Sequence, residues 1–231
     1  MIRAVFFDFN GVIVDDEPLH FSLFQKVLAE EGLKLSQDRY FERYLGMDDF
    51  DCFRQASSDL GKNLGETQIQ GLIDRKAVYY QKEIAAKAPF VPGALELVQA
   101  LGKTHYLAVV SGALRSEIEM LLKQGKAQQC FSVIVAAGEI SQGKPHPEGY
   151  QTAMELMNRD YVASSERLLP EECLAIEDSH WGIEAARAAG MACVGVTTTY
   201  SERELPGALF CLKDFQGLSA EEFLKRVEAS R

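Results

Sequence analysis

Carboxylate side chains follow two of the apolar runs in the sequence. The first run leads into Asp8-Phe9-Asn10-Gly11, where a glycine can bend the chain and turn Asp8 and Asn10 into one cleft. A simple Asp-x-Asn-Gly turn is the alternative interpretation. A later run leads into Glu177 and Asp178. Their hard oxygen ligands suit Mg²⁺, although Asp178 could instead cap a helix beside a surface glutamate.

Two further clusters have the chemistry of phosphate binding. Ser111 and Gly112 follow another apolar run and offer a hydroxyl and a backbone N–H just before a predicted helix, which is typical of a phosphate site. Lys144 supplies a cation just before the next predicted helix. A capping serine and a solvated surface lysine are the ordinary alternatives for these residues. All four clusters stand at strand ends, where ligands bind parallel sheets.

The elements that would position these residues form an α/β pattern. Short buried strands are predicted at 4–9, 106–110, 133–137, 173–176 and 193–197. They alternate with predicted helices at 94–101, 114–123, 148–157 and 181–189, the last following Ser179 as an N-cap. Strand–helix alternation of this kind predicts a Rossmann-like parallel sheet.

One long segment interrupts the alternation. Between about Pro18 and Ala86 we find no strand pattern and predict helices at 21–31, 41–45, 49–60 and 69–85. We therefore expect an α/β core from residues 1–14 and 88–231, with a small all-helical domain inserted at 15–87. Two capping boxes are predicted, Thr67-x-x-Gln70 and Ser219-x-x-Glu222, the second opening a C-terminal helix at 218–229.

The order of these clusters resembles the haloacid dehalogenase-like superfamily. The stretch from Glu177 to Met191 is especially similar to its β-phosphoglucomutase-like and phosphatase branch. The resemblance extends over essentially the whole chain and implies that the helical insertion is a cap domain. It also implies magnesium-dependent phosphoryl transfer to or from a small phosphorylated metabolite.

The resemblance implies a role for each matched residue. Asp8 would be the nucleophile that forms an aspartyl-phosphate. Ser111 and the N–H of Gly112 would hold the phosphate, and Lys144 would neutralise charge on the nucleophile and the transferring oxygens. Magnesium would be held by Asp8, by Asp178 with Glu177, and by the carbonyl of Asn10.

Asn10 departs from the family pattern. Phosphatases and mutases of the family carry Asp there as the general acid/base, and an amide does not titrate near neutrality. Three interpretations stay open: a native enzyme adapted to good leaving groups or to another acid, an engineered substitution that traps a complex, and a phospho-ligand binding or regulatory protein. Dehalogenases and phosphonate hydrolases also lack this Asp, but carry Tyr or Ala.

Candidates for a replacement acid are Asp16 and His20, which follow the first strand closely. The simpler interpretation is that Asp16 and Glu17 cap the first inserted helix, with Pro18 in its first turn.

Substrate contacts from the insertion are harder to predict. Leu45 and Asp49 stand where sugar-phosphate mutases offer basic residues, which argues against a phosphoglucomutase. His20, Arg43, Lys76 and Arg115 are candidate substrate contacts, although we expect the Arg and Lys side chains to be surface charges. A turn at Gly46-Met47 is expected to face the core.

Bulk properties exclude several classes of protein. The net charge of −10 disfavours nucleic acid as a partner. Five cysteines without a C-x-x-C spacing favour a reducing compartment, and no apolar run is long enough for a membrane span. We expect a cytoplasmic monomer or weak dimer.

Overall fold

The protein is described by a computed structural model that covers residues 1–45, 47, 49–86 and 88–231. The chain divides into two compact units, a core unit of Met1–Asp15 with Pro89–Arg231 and a helical unit of Asp16–Ala88. Its strands and longer helices, in chain order, are β1 (Ala4–Phe7), α1 (Glu17–Glu30), α2 (Gln37–Arg43), α3 (Asp49–Asp59), α4 (Glu66–Ala86), α5 (Ala94–Leu101), β2 (Tyr106–Val110), α6 (Arg115–Gln124), β3 (Val133–Val135), α7 (Glu148–Asp160), β4 (Cys173–Glu177), α8 (His180–Ala188), β5 (Ala192–Val196), β6 (Cys211–Leu212) and α9 (Ala220–Ser230).

The core unit is built on a six-stranded sheet in the order β3-β2-β1-β4-β5-β6, with all neighbours parallel. The predicted Rossmann-like α/β class is therefore confirmed. The central strand β1 is paired on one side with β2 and on the other with β4. Its carboxyl end consequently lies between the ends of two further strands, which is where such sheets bind ligands.

Helices cover both faces of this sheet. Ala4 and Phe6 of β1 belong to a buried cluster shared with α7 and α8. Val5 and Phe7 point to the opposite face and are buried as well. Burial on both faces explains why the strands are continuous apolar runs without polar alternation.

Several predicted boundaries were wrong by one to four residues. The first strand ends at Phe7 instead of Phe9, so Asp8 opens the following loop. The third strand ends at Val135, and the fourth includes Glu177. In all three cases the strand ends where its hydrogen-bonded pairing with the neighbouring strand ends. That point depends on the register of the two strands, which amino-acid composition does not reveal.

The helical unit packs α1, α3 and α4 around an aromatic and aliphatic core. Phe24 of α1 contacts Phe53 of α3 with ring centroids 4.8 Å apart. Ile69 and Leu72 of α4 belong to the same buried cluster. None of the helices in the described residues is both long and apolar enough to span a membrane.

Helix starts in this unit differ from the predictions. Helix α2 starts at Gln37 instead of Phe41, because the Ser36 side chain accepts the N–H of Arg39. The predicted Thr67 capping box is wrong: α4 already begins at Glu66, so Thr67 lies inside its first turn. Both predicted caps of the core unit are confirmed, at Ser219 for α9 and at Ser179 for α8.

The start of α1 also corrects a prediction. Asp16 occupies the N-cap position and Pro18 lies in the first turn, but the Asp16 side chain makes no capping hydrogen bond. Its carboxylate instead accepts the buried hydroxyl of Tyr80 at 2.7 Å. The Glu17 carboxylate accepts the hydroxyl of Tyr40 at 2.6 Å. Both acids therefore connect α1 to other helices of the unit.

A buried cation lies at the centre of the helical unit. Lys76 is only 2 % exposed, so its expected surface position was wrong. Its ammonium contacts Asp49 Oδ1 at 2.6 Å and His20 Nδ1 at 2.8 Å, and lies 4.3 Å from the ring centroid of Phe24. Burial of a lysine requires such partners, and the sequence spacing of Lys76 and Asp49 gave no sign of the pairing.

We expect Asp49→Ala to destabilise the protein because it removes the carboxylate that neutralises Lys76. The free energy of unfolding should fall by about 2 kcal/mol or more, somewhat less than for a fully enclosed pair because Asp49 is partly exposed. Asp51→Ala is the matched control, since it breaks an exposed pair with Arg54 in the same helix turn and should cost under about 1 kcal/mol. Urea unfolding of both variants measures the difference; equal losses would contradict the assignment.

Candidate active site

The carboxyl ends of β1 and β4 bring three carboxylates together. The N–H of Asp8 donates to the carbonyl of Ile176 at 2.9 Å, which places Asp8 beside Glu177. One oxygen from each of Asp8, Glu177 and Asp178 lies within 4.8 Å of the others, and all three residues are buried. Parallel pairing of the two strands is what produces this meeting, since the residues are about 170 positions apart in the chain.

Lys144 joins two of these carboxylates. Its ammonium lies 2.8 Å from Asp8 Oδ1 and 2.6 Å from Glu177 Oε1. The lysine reaches them from the segment that precedes α7, and four-fifths of its side chain is buried. One cation therefore sits against the residue expected to be the nucleophile and against a second buried acid.

The charges in this cluster shift one another's protonation. Burial would lower the pKa of Lys144, but the nearby Asp8 and Glu177 carboxylates outweigh it and raise that pKa, so the ammonium stays charged. Burial, followed by repulsion from Asp8 and Glu177, raises the pKa of Asp178 well above its usual range. Burial also raises the pKa of Glu177, against the opposing effect of Lys144.

This donor set fits a divalent cation. In this cluster, among the residues that the structure describes, three carboxyl groups face one ammonium. Repulsion from Asp8 and Glu177 adds to the effect of burial in raising the pKa of Asp178. Oxygen ligands of this kind suit Mg²⁺. Asp8 and Asp178 are the residues that would hold it, with Glu177 close by.

Ser111 and Gly112 stand at the end of β2, next to β1 in the sheet. The Ser111 N–H donates to Val135 at 3.0 Å, and its side-chain oxygen accepts the N–H of Ala113 at 3.1 Å. A cavity of about 390 Å³ is lined by both residues together with Lys144, His146 and Tyr150, among others. The predicted phosphate holders and the predicted lysine thus share one cavity of the core unit.

Asn10 lies in a tight loop that closes on itself after β1. The N–H of Gly11 donates to Val14 at 2.7 Å, and Asn10 forms an isolated bridge with Val14. Gly11 has φ +74°, and a Cβ there would lie 1.9 Å from Asp178 Oδ2. Glycine is therefore required at position 11 both for the turn and for the close approach to the carboxylate.

Sequence reasoning missed three residues that hold these groups. The Thr199 hydroxyl donates a short hydrogen bond to Asp178 Oδ2, and Thr198 donates to the carbonyl of Gly11. Both follow β5, so the same strand-end argument could have found them. The Tyr150 hydroxyl donates to Glu177 Oε1 at 2.6 Å. A tyrosine at helical apolar spacing gave no such signal.

The remaining candidate residues make contacts within their own units. His20 and Lys76 belong to the polar cluster of the helical unit, where His20 Nε2 is 3.2 Å from Asp16 Oδ2. Arg43 is half exposed and pairs with Asp59 at 3.1 Å. Arg115 of the core unit makes a two-pronged pair with Glu139. The turn expected at Gly46-Met47 lies partly outside the described residues, because Gly46 does.

Gly182 offers a test of how tightly Glu177 is enclosed. A Cβ at this position in α8 would lie 1.9 Å from the Glu177 carboxylate, so Gly182→Ala should lower the free energy of unfolding by about 1–3 kcal/mol. Gly71→Ala in α4 is the control, because an added Cβ meets nothing within 4 Å. That change should stabilise by up to about 1 kcal/mol, as alanine does in an exposed helix. Thermal or urea unfolding should give opposite signs; equal signs would be inconsistent with this packing.

Known proteins resemble the chain along nearly its whole length. Residues 5–196 match the family described as haloacid dehalogenase-like hydrolase. Validoxylamine A 7'-phosphate phosphatase from Streptomyces hygroscopicus subsp. limoneus is 28% identical over 93% of this chain and 94% of its own. A phosphorylated carbohydrates phosphatase from Thermotoga maritima is 28% identical over 82% of each chain.

Solved structures show the same fold. β-Phosphoglucomutase from Clostridium difficile superposes with a TM-score of 0.78 at 22% identity, covering 99% of this chain and 98% of the other. At that identity the likeness concerns the fold alone. The sequence match decides the family, and it agrees with a parallel sheet in which Asp8 directly follows the central strand. The chain belongs to the haloacid dehalogenase-like hydrolases.

Proposed function

We propose that this hydrolase transfers phosphoryl groups from a small phosphorylated metabolite to Asp8, in a magnesium-dependent reaction slowed by Asn10. The observation that carries the proposal is the position of Lys144, whose ammonium touches Asp8 while two further carboxylates lie within reach of the same point. A structural ion pair would need one acid. A second and third acid, buried and mutually repelling, are the arrangement expected around a cation and an anionic substrate.

The chain's own residues support each part of the transfer. A phosphoryl group in the core cavity would lie among Ser111, the N–H of Gly112 and Lys144, which donate hydrogen bonds and supply positive charge. Asp8 would attack phosphorus while the bond to the leaving oxygen breaks, giving an aspartyl-phosphate. Lys144 would neutralise charge on Asp8 and on the transferring oxygens.

Magnesium is the cofactor that the donor set favours. Asp8 and Asp178, with the carbonyl of Asn10, would hold the ion, and Thr199 fixes one oxygen of Asp178. When bound, Mg²⁺ supplies positive charge that offsets the carboxylates and the phosphate. Repulsion between the carboxylates and an anionic substrate would otherwise oppose binding.

Asn10 determines which substrates react fast. Its amide cannot donate a proton to a leaving oxygen and then accept one from water. Substrates whose leaving group departs without a proton, such as acyl and aryl phosphates, should therefore react faster than alkyl phosphates. Hydrolysis of the aspartyl-phosphate at Asp8 should also be slow, because the attacking water lacks its usual base.

The helical unit, Asp16–Ala88, is assigned the role of a cap that selects the substrate. One relative is named as a phosphatase of validoxylamine A 7'-phosphate and another as a phosphatase of phosphorylated carbohydrates. We extend that class, a small polar phosphomonoester, to this chain. Asp16 and His20 are already engaged with Tyr80 and Lys76 within the unit, so we assign them a structural role there.

The decisive assay compares two classes of substrate. Acetyl phosphate or p-nitrophenyl phosphate should release phosphate with Mg²⁺ and not after chelation, whereas glycerol phosphate should react slowly under the same conditions. Equal, negligible rates on both classes would overturn the proposal. If inorganic phosphate or a sugar phosphate then bound tightly without turnover, a phospho-ligand binding protein would be the better description, and Asn10 is the observation that favours it.

A further inference from the structure

Tyr150 is a buried phenol next to the charged cluster. It lies in the first turn of α7, and its side chain is fully buried. Its ring packs against Phe6 of the sheet with centroids 6.4 Å apart, a contact that phenylalanine could make equally well. The hydroxyl therefore has a separate reason to be there.

The hydroxyl is aimed at the acid that holds the lysine. It donates to Glu177 Oε1 at 2.6 Å, and the same oxygen contacts the ammonium of Lys144 at 2.6 Å. Lys144 in turn lies 2.8 Å from Asp8 Oδ1. Three short contacts thus connect Tyr150 to Glu177, Glu177 to Lys144, and Lys144 to the proposed nucleophile Asp8.

We propose that Tyr150 is a positioning residue for phosphoryl transfer, because its hydroxyl shares Glu177 with Lys144 and so keeps the ammonium on Asp8. The assignment rests on the proposed function. With the Tyr150 hydroxyl present, Oε1 of Glu177 has two hydrogen-bond donors, so it attracts the ammonium of Lys144 less strongly. Without it, Lys144 is the remaining donor at that oxygen, and the glutamate competes more strongly with Asp8 for the ammonium.

The second oxygen of Glu177 does not replace the phenol. It lies 3.4 Å from the Ser179 hydroxyl, a long contact, and that hydroxyl also accepts the N–H of Gly182. A buried carboxylate with fewer donors is costly, so the ammonium is expected to move toward Glu177 when the phenol is removed. The effect should appear in the transition state, where Lys144 faces the charge on the transferring oxygens.

Tyr150→Phe keeps the ring and removes only the hydroxyl. We expect kcat for acetyl phosphate to fall by about 10- to 100-fold, the range that a hydrogen bond to a charged group supports, with KM nearly unchanged. The dissociation constant of tetrafluoroaluminate, a transition-state mimic bound with Mg²⁺, should rise by a similar factor. Binding of inorganic phosphate should change little. A merely structural role would lower stability without this split.

Tyr40→Phe is the matched control. Its hydroxyl also donates to a glutamate, Glu17, at 2.6 Å, in a partly buried site within the helical unit. This variant should lose comparable stability and keep the wild-type kcat. If Tyr150→Phe does not fold, fluorotyrosine can be incorporated at position 150 instead. It keeps the shape of the side chain and alters only the hydrogen-bond donor strength of the hydroxyl. A kcat that does not respond to fluorotyrosine would overturn the assignment.

The outcomes separate the two proposals. If the wild type turns over acetyl phosphate and binds tetrafluoroaluminate, and a folded Tyr150→Phe variant does both equally well, only the role of Tyr150 is overturned. Absence of both in the wild type overturns the proposed function and the role of Tyr150 together. A fall in kcat matched by weaker tetrafluoroaluminate binding supports both.

Discussion

Replacing Asn10 by aspartate should raise the turnover of alkyl phosphates by about 10²–10⁴-fold, the range that a positioned acid/base contributes. For acetyl phosphate, whose leaving group departs without a proton, the rate of Asp8 phosphorylation in a single-turnover assay should change little. Its turnover should rise only because hydrolysis of the aspartyl-phosphate regains a base. The physical reason is that the carboxylates, the lysine and the phosphate holders are already assembled around this loop. Steady-state assays of wild type and Asn10→Asp on both substrates measure the difference.

Asn10→Ala is the control for this change. It removes the amide without adding a titratable group, so its turnover of alkyl phosphates should stay at the wild-type level or below. An Asn10→Asp variant that binds inorganic phosphate but gains no activity would show that more than one acid/base group is missing. In that case the chain would be a binding protein on a hydrolase fold.

Asp8→Asn should abolish the reaction and the covalent intermediate. We expect turnover of acetyl phosphate to fall by roughly 10⁴–10⁶-fold, the order found when a covalent nucleophile is removed from an enzyme. In the wild type, a phosphoryl group should accumulate on the protein, because hydrolysis of the aspartyl-phosphate lacks its base. Radiolabelled acetyl phosphate followed by peptide mapping should locate the label on Asp8.

Asp160→Asn is the matched control, since it changes an exposed aspartate of the same unit that pairs with Arg159. It should keep both the turnover and the label. Labelling of Asp8→Asn to the wild-type extent would mean that another residue receives the phosphoryl group, and the assignment of Asp8 would be wrong.

The fold was predictable because its signal is carried by local patterns. Apolar runs without alternation require a sheet that is covered on both faces, and the strands at β1, β2 and β4 satisfy this directly. Capping serines also act over three residues, so Ser179 and Ser219 could be read from the chain. Thr67 failed because the same local pattern also occurs inside a helix.

The part of the site that could be predicted from the sequence consists of residues that directly follow strands. Asp8, Ser111 and Asp178 each follow a strand, and parallel pairing brings such residues to one edge. Tyr150 and Lys76 were not predictable in this way. Their partners, Glu177 and Asp49, lie 27 residues away along the chain in each case, and only packing decides that these polar groups are buried together.

A crystal structure with Mg²⁺ and beryllofluoride would show whether Asp8 is the residue that accepts the phosphoryl group. We expect beryllium on an oxygen of Asp8, the metal in contact with Asp8 and Asp178, and Lys144 and Ser111 at the fluorines. A fluoride complex bound away from Asp8, or Asp178 and Lys144 turned away from it, would contradict the account.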